Sequence, residues 1–496
     1  MDKNKRILTY VIALIVLAIG VTFAYFVAQT GDGAKSNVNI KADSVDDLKF
    51  SVNKDLSLSA NQFNFAQGSG NLSDSVTATA SLKANSTKKT ATYNYYVYFQ
   101  MESNEYKYTT ENKLPEIVLS ITGPNGEITN VDGLTYVSAS DADGNIIKGF
   151  DITELGSSII KIADSFEISS SSSTNYTNQK WVFKVTFINL NTDQTGNQGK
   201  TMSGKVLMQK DKLITNVSEV ASSGDNLATT LETFSTKSVP SISNLYHHDG
   251  TIKDADGNVI DAADGSYRFA GTSADVKNYI CLGSSEEACP NDNLYRIIGV
   301  FGENNHGVKD QQLVKVIKNT SYGNLQWNTT RSNDWATTSL NETLNSTFKT
   351  EKLSGFEDKI AEVSWKVSGH TTTQVIAHVF YASEITNAIR TITSKIGLMY
   401  ASDYGFATTP DYWITNLYDY SAVAKNTNWL CLVGSWEWLL SPQGDYGFAW
   451  IVGGDGDVYG GIVTNTNAVR PTFYLLSSVQ YDFGTGTMSD PIRLKI

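Results

Sequence analysis

Residues 91–100, ATYNYYVYFQ, alternate large apolar side chains with more polar ones. On an extended chain, one side of this segment carries Tyr93, Tyr95, Val97 and Phe99. Residues 181–188, WVFKVTFI, repeat the pattern. Alternation of period two predicts β-strands that turn one row of side chains toward a core. Asp-Gly and Pro-Asn-Gly turn sequences separate such runs, so an all-β sandwich is predicted over residues 33–215.

The first 32 residues have the pattern of a targeting segment. Three basic residues precede an apolar run over residues 7–28, which is typical of a secretory signal. The run is also as long as the roughly 20 residues that a membrane-spanning helix needs. Residues 1–32 are therefore either a signal peptide or an N-terminal membrane anchor, and small residues at Thr22 and Ala24 favour cleavage. Both alternatives place the rest of the chain outside the cytoplasmic membrane.

Composition limits the classes of partner. The 496 residues predict two or three domains. The net charge of -12 argues against a nucleic-acid partner, because no basic excess is present to replace the counterions around phosphates. The same charge disfavours an anionic membrane surface, so contact with a membrane is expected only through the N-terminal segment. The acidity itself suits solubility outside a cell.

The chain has three cysteines. Cys281 and Cys289 bracket a short polar loop, and we expect them to form a local disulfide in an oxidising compartment. Cys431 lies in the apolar stretch 428–433, which favours a buried small hydrophobe over a reactive thiol.

Residues 20–26, GVTFAYF, resemble the end of the signal peptides of TasA and camelysin-like proteins, which are exported β-sandwich proteins of Gram-positive bacteria. The resemblance extends to the β-rich character of residues 33–215. The resemblance implies a protein of the bacterial matrix or surface. Members of the family include biofilm fibre formers and proteins described as metalloproteases. Residues 33–215 contain neither His nor Cys, which excludes a classical zinc protease site there. Self-assembly of this domain would add residues 35–43 as a strand to a neighbouring copy.

Residues 216–265 differ in sequence pattern from the predicted sandwich before them. A short helix is predicted at 226–234, and repeated acid-glycine turns follow, so the segment is predicted to be a linker. Residues 254–258, DADGN, invite a calcium interpretation. Gly257 comes too early for a helical calcium loop, however, and Gly265 stands where the bidentate Glu should be. A plain turn is therefore favoured over a calcium site, and no other cofactor or metal is expected.

Beyond residue 266 the sequence predicts an α+β domain. Residues 292–300 and 312–318 are predicted to be partner strands, and helices are predicted at 333–348 and near 382–394. These motifs, in order, resemble a domain of unassigned function that recurs in surface proteins of gut bacteria. That domain is related to the C-type-lectin-like fold of formylglycine-generating enzymes. The resemblance implies a lectin-like domain over residues 266–496.

The step Val469-Arg470-Pro471 is shared with the ligand-binding proteins that bacterial retroelements diversify. Carried onto this chain, the resemblance implies a variable binding face within residues 443–467. This segment mixes Tyr, Asp, Asn and Gly, as antibody paratopes do. The candidate ligand-binding residues are Tyr446, Asp455, Asp457 and Tyr459, with Gln443, Asp445, Asn465 and Asn467 as further members. The alternative is a Gly-rich hairpin whose aromatic rings merely pack.

The residues that flank this segment are interpreted as structural. Trp436, Trp438 and Trp450 are expected in the core. Arg470 is expected to form an ion pair or to bond backbone carbonyls, rather than to contact a ligand.

Catalytic patterns are scarce. The five His form no recognisable metal or triad motif, and no phosphate-binding loop or nucleophile elbow is present. Formylglycine-generating enzymes use paired cysteines, whereas Cys431 stands alone, so that activity is not carried over. We therefore predict no enzyme but an exported surface protein that binds an extracellular glycan or protein. The main alternative is a fibre-forming matrix protein, and an extracellular hydrolase has less support.

Overall fold

The computed structural model describes residues 46–60, 70–85, 90–368, 375–420, 422, 426–444 and 446–495. The chain is β-rich, with 38% strand against 17% helix. It divides into two compact units, Met1–Lys212 and Leu213–Ile496. The predicted signal or anchor of residues 1–32 lies outside the described residues. Of the helices in the described ranges, none is both long and apolar enough to cross a membrane.

The first unit consists of two antiparallel sheets around one core, an arrangement consistent with a β-sandwich. Its larger sheet has the order β1-β3-β10-β5-β8-β7, with β6 paired to β5, and its smaller sheet has the order β2-β11-β4-β9. The strands are β1 Asp47–Val52, β2 Leu56–Ser59, β3 Leu72–Lys83, β4 Ala91–Asn104, β5 Ile117–Gly123, β6 Gly126–Glu127, β7 Tyr136–Ser140, β8 Ile146–Asp151, β9 Ser158–Ser170, β10 Thr177–Phe187 and β11 Thr201–Gln209.

The period-two pattern of the sequence correctly predicts which side chains face this core. On β4, Tyr95 and Phe99 are fully buried, and on β10 Trp181 is fully buried. Trp181 donates its Nε1–H to the Tyr95 hydroxyl over 2.9 Å, and so links the two sheets across the core. Glu116 is also fully buried, and its carboxylate accepts hydrogen bonds from side chains such as Gln194. Trp181 and Glu116 thus have hydrogen-bond partners for their buried polar groups, as a stable interior requires.

The second unit combines several sheets with short helices. Its strands are β12 Leu245–His248, β13 Ser266–Phe269, β14 Tyr279–Cys281, β15 Leu294–Phe301, β16 Leu313–Lys318, β17 Gly323–Gln326, β18 Val363–Lys366, β19 Thr391–Ser394, β20 Ile396–Gly397, β21 Glu437–Pro442, β22 Phe448–Val452, β23 Val458–Ile462, β24 Thr466–Val469, β25 Thr472–Tyr474, β26 Tyr481–Phe483 and β27 Arg493–Leu494. Its helices are α1 Leu227–Lys237, α2 Pro240–Ser243, α3 Glu303–His306, α4 Ser339–Thr343, α5 Lys349–Lys352, α6 Ala377–Tyr381 and α7 Ala401–Phe406.

Two of these sheets position the candidate site. One has the order β12-β13-β15-β16-β25-β20, with β14 paired to β15, and the other has the order β17-β24-β21-β22-β23. The predicted pairing of residues 292–300 with 312–318 is confirmed, since β15 and β16 are antiparallel neighbours. The predicted disulfide between Cys281 and Cys289 is also present.

The linker predicted at residues 216–265 is wrong. Asn226 caps α1 by accepting a hydrogen bond from the backbone N–H of Thr229, and α1 buries Leu231 and Phe234 in the core of the second unit. Strand β12 pairs with β13 and extends the sheet. The acid-glycine turns are therefore turns within a folded unit. The segment 254–258 is one of them, since the Asp254 carboxylate accepts backbone N–H groups of Asp256 and Asn258.

The helix predicted at residues 333–348 is confirmed as a helical segment, made of the turn Trp335–Thr337, helix α4, a π-turn Leu344–Phe348 and helix α5. The helix predicted near 382–394 is only partly correct. Helical structure covers α6 and a π-turn Ala382–Thr386, whereas residues 391–394 form β19 and pair with β18. Thr391, Ile392 and Thr393 are all β-branched, and such side chains pack well on a pleated surface, which favours a strand there.

Candidate functional site

The predicted binding segment forms the hairpin of β22 and β23, which are antiparallel over Phe448–Val452 and Val458–Ile462. Residues 453–457 connect the strands at one end of this hairpin. Residues 446–447 and 463–465 lie at the other end, where the Val463 N–H donates to the Gly447 carbonyl over 3.1 Å. A five-residue strand spans on the order of 15 Å. The predicted face is therefore divided between two ends of one hairpin.

Three loops converge at the 453–457 end. The Gly434 N–H donates to the Gly454 carbonyl over 2.8 Å, which joins the loop before β21 to the hairpin turn. The Tyr420 N–H donates to Oδ1 of Asp457 over 2.7 Å, which joins the turn Leu417–Asp419 to the same place. Beneath them, the buried Tyr404 hydroxyl donates to the Gly456 carbonyl over 2.8 Å. These bonds give the surface a fixed base.

Aromatic side chains cover this base. Trp436 is 52% exposed and Tyr418 is 47% exposed, and Val433, which directly precedes Gly434 in the loop before β21, is also exposed. The rings of Trp436 and half-buried Tyr459 meet edge to face, with centroids 6.0 Å apart at an interplanar angle of 86°. We name this set, with the exposed Asp455, the aromatic surface: Tyr418, Val433, Trp436, Asp455 and Tyr459.

Gly453 makes room for two members of this surface. A Cβ built on Gly453 would lie 2.5 Å from Oδ1 of Asp455 and 2.8 Å from the hydroxyl of Tyr459. Any side chain at position 453 would therefore displace the carboxylate or the phenol. The same geometry shows that Asp455 and Tyr459 lie close together at the rim.

The expectation that Trp436 lies in the core is wrong, whereas Trp438 and Trp450 are fully buried as predicted. Trp436 comes directly before β21 begins at Glu437, so it stands in the loop and escapes the alternation of the strand. Sequence reasoning also missed Tyr418. The signal that was available for Trp436 is the preceding Gly434-Ser435, a turn pair that predicts a loop position.

Arg470 is structural, as predicted. Its guanidinium bonds both carboxylate oxygens of Glu437, at 2.7 and 2.8 Å, and donates to the Leu430 carbonyl over 2.5 Å. Arg470 is 2% exposed and Glu437 1% exposed. Burial raises the pKa of Glu437, and the charge of Arg470 opposes this. The pair fixes the start of β21 to the loop that carries Trp436.

The other predicted residues that the structure describes lie away from the 453–457 end of the hairpin. Tyr446 is 74% exposed and Asn465 is exposed, while Gln443 is half-buried. Asn467 lies on β24 opposite Leu325 of β17 and is only 6% exposed. The prediction that it belongs to an exposed binding face is therefore wrong. Asp445 lies outside the described residues. These positions do not join the aromatic surface.

Cys431 lies in the loop before β21, two positions before Val433. It is partly buried and packs against the core. Burial raises the pKa of its thiol, which keeps the thiol protonated at neutral pH. Cys431 is thus only partly buried, whereas the sequence predicts a buried small hydrophobe.

In the part of the chain that the structure describes, no group of three or more His, Cys, Asp or Glu side chains is arranged to hold a metal ion. His370 lies outside that part. A surface depression lined by Glu357, Asp358 and Lys395 shares no residue with the aromatic surface. Its acidic and basic side chains are held in surface ion pairs, such as Lys395 with Glu357 at 3.6 Å.

Known protein families and curated proteins offer no guide to the chemistry of this site. Neither the models of known protein families nor the curated proteins match this chain. What the geometry offers is a rigid, solvent-facing group of aromatic rings beside a carboxylate. Such a group can make contacts of large area with a ligand at low cost in side-chain entropy.

Proposed function

We propose that this chain is an exported surface protein whose second unit binds an extracellular ligand, a glycan or a protein, through the aromatic surface. The observation that carries the proposal is Trp436, which exposes half of its area on a base held by buried hydrogen bonds. Folding gains little from a tryptophan in this position. Exposed aromatic groups of this kind mark interaction sites in soluble proteins.

Export is supported by two features. The first is the basic and apolar pattern of residues 1–32. The second is the disulfide between Cys281 and Cys289, because disulfides persist chiefly in oxidising compartments. Both suit a protein that works outside the cell, whether the N-terminal segment is cleaved or stays as an anchor.

A C-type-lectin-like fold for the second unit is part of this proposal. Its support is the order of the sequence motifs and the step Val469-Arg470-Pro471. The arginine of this step bonds both Glu437 and the Leu430 carbonyl, and so joins the two ends of the loop that carries Trp436. In the proteins that share this step, the preceding residues carry the ligand-binding face. The aromatic surface lies in the same region of the chain, although its main aromatic, Trp436, precedes the predicted segment.

The alternative, a fibre-forming matrix protein, depends on the sheet edges of the first unit. Strand β9 forms an edge of the smaller sheet over 13 residues, which is long enough to accept an added strand. Its pairing with β4 is interrupted by bulges, however, and Ser165 takes a positive φ of 53°. The strand also carries Lys161, Asp164 and Glu167. Bulges and charges are the features that protect edges from pairing, which favours the binding function.

The test is binding of the purified full-length chain to glycan and surface-protein arrays, compared with two variants. Trp436→Ala removes the central ring and is expected to weaken binding by about tenfold or more. Ile389→Ala is the control, because Ile389 is 87% exposed and lies outside the aromatic surface. We expect this variant to bind like the wild type. Binding that survives Trp436→Ala, or no binding to any array, would overturn the proposal, and the second result would favour the matrix alternative.

A further inference from the structure

Two exposed carboxylates lie at or next to the aromatic surface among the residues that the structure describes. Asp455 is an exposed member of it, and Asp419 is exposed on the turn that carries Tyr418. In the described ranges, neither Asp455 nor Asp419 forms an ion pair with a Lys, Arg or His. These two carboxylates therefore keep their charge available to a ligand.

The basic group nearest in sequence to the hairpin does not offset this charge. Arg470 is 2% exposed and is bonded through two nitrogens to the carboxylate of Glu437. A buried pair of opposite charges is close to neutral when seen from outside. In the described part of this surface, Arg470 is therefore neutralised by its buried partner, whereas Asp455 and Asp419 are exposed beside the aromatic rings.

The carboxylates of Asp455 and Asp457 contribute a negative electrostatic potential at the phenol of Tyr459. Burial raises the pKa of Tyr459, and the charges of Asp455 and Asp457 raise it further. A negative potential disfavours a phenolate and favours a cation in the same place. The faces of Trp and Tyr rings carry negative electron density as well, and they attract ammonium and guanidinium groups within about 6 Å.

We propose that the ligand of the aromatic surface presents a positive charge, the ammonium or guanidinium group of a basic peptide segment, which sits against Trp436 and Tyr459 and pairs with Asp455. This inference rests on the proposed function, because it names the chemical class of the ligand at the same site. The rings supply desolvated cation–π contact, and Asp455 supplies a charge-assisted hydrogen bond. A neutral sugar would use the rings but would gain little from the carboxylate charge.

The test uses the full-length chain and a fluorescent hexapeptide of alternating Gly and Lys. Matched probes are the same peptide with every lysine acetylated, which removes the charge, and a neutral oligosaccharide. The lysine peptide is expected to bind, with a Kd that rises as salt is added, and acetylation is expected to weaken binding by about tenfold or more.

Two variants separate charge at this site from charge in general. Asp455→Asn keeps the size of the side chain and removes its charge, and it should weaken binding of the lysine peptide by about tenfold. Asp256→Asn makes the same change in net charge on an exposed turn elsewhere in the unit, and it should leave binding unchanged. Equal binding by the wild type and Asp455→Asn would overturn the inference.

The outcomes also distinguish this inference from the proposed function. If the oligosaccharide binds in a Trp436-dependent way and the lysine peptide does not, the surface is a binding site but not one for cations. If no probe binds and the arrays show no Trp436-dependent ligand, both proposals fail together.

Discussion

At the scale of single residues, the interior of the second unit contains charges that the sequence does not reveal. Asp403 is 3% exposed and bonds Nζ of Lys315 at 2.5 Å and the guanidinium of Arg268 at 3.4 Å. Arg268 also pairs with Asp264 at 2.9 Å. The most distant bonded partners, Arg268 and Asp403, are 135 positions apart, and a pairing so distant leaves no local sequence pattern. Arg470, by contrast, could be assigned a structural role from the sequence, because it belongs to the recognisable step Val469-Arg470-Pro471.

We predict that Asp403→Asn lowers the free energy of unfolding by about 3–5 kcal/mol, because it leaves two buried cations with one fewer carboxylate. Urea unfolding followed by tryptophan fluorescence would measure this, since eight of the nine Trp lie in the second unit. Asp358→Asn is the control. Asp358 is 68% exposed and pairs with Lys359, so its loss should change stability by less than about 0.5 kcal/mol. A loss below about 1 kcal/mol for Asp403→Asn would contradict the prediction.

Two buried histidines predict a dependence of stability on pH. His248 is fully buried and accepts the Ala262 N–H on Nδ1, and burial lowers its pKa well below the ordinary value. Burial also lowers the pKa of His306. The unfolded chain takes up these protons below about pH 6.5 while the folded chain does not. The second unit should therefore lose stability as pH falls below 6.5, by up to about 1.4 kcal/mol per pH unit for each histidine.

The variant His248→Gln should reduce this slope, and unfolding curves between pH 7 and pH 5 would show it. His247→Gln is the matched control, because His247 is the neighbour on β12 and its side chain is 39% exposed, near Asp249. Identical slopes for the two variants would show that His248 does not carry the effect.

At the scale of elements, the sequence predicts an element well where one periodicity persists and one face is buried. Strands β4 and β10 follow their alternation, and the helical segment from 335 to 352 follows its spacing. Residues 216–265 were misjudged because turn sequences alone do not distinguish a linker from the turns of a packed unit. The packing decides the matter: α1 buries Leu231 and Phe234 and contacts strands that come later in the chain.

The disulfide is an element whose contribution can be measured. The cysteines close a short loop, with a sequence separation of 8. In the chain-entropy model, a loop of this size contributes roughly 2.5 kcal/mol to stability. The double variant Cys281→Ser/Cys289→Ser should lose about this much, whereas Cys431→Ser should leave the disulfide intact by mass spectrometry. A double variant as stable as the wild type would show that the bond does not restrain this loop.

At the scale of the whole molecule, the candidate site shows where a linear sequence misleads. The eight predicted binding residues lie within 25 positions of one another, from Gln443 to Asn467. A strand runs through that segment, and it carries Tyr446 and Asp455 to opposite ends of a hairpin. The residues that complete the aromatic surface come from the loops at 417–420 and 433–436. Chain proximity therefore identified Asp455 and Tyr459, and only the fold could add Tyr418 and Trp436.

The two units have separate cores, one formed by residues between 56 and 208 and the other by residues between 217 and 492. We therefore predict two unfolding transitions for the full-length chain in calorimetry. A ligand that binds only a folded unit stabilises that unit by about 2.7 kcal/mol at 100 times its Kd. The lysine peptide should accordingly raise the Tm of the transition that tryptophan fluorescence follows, and leave the other transition in place. If the peptide shifted the other transition instead, its site would lie in the first unit and the aromatic surface would not be the receptor.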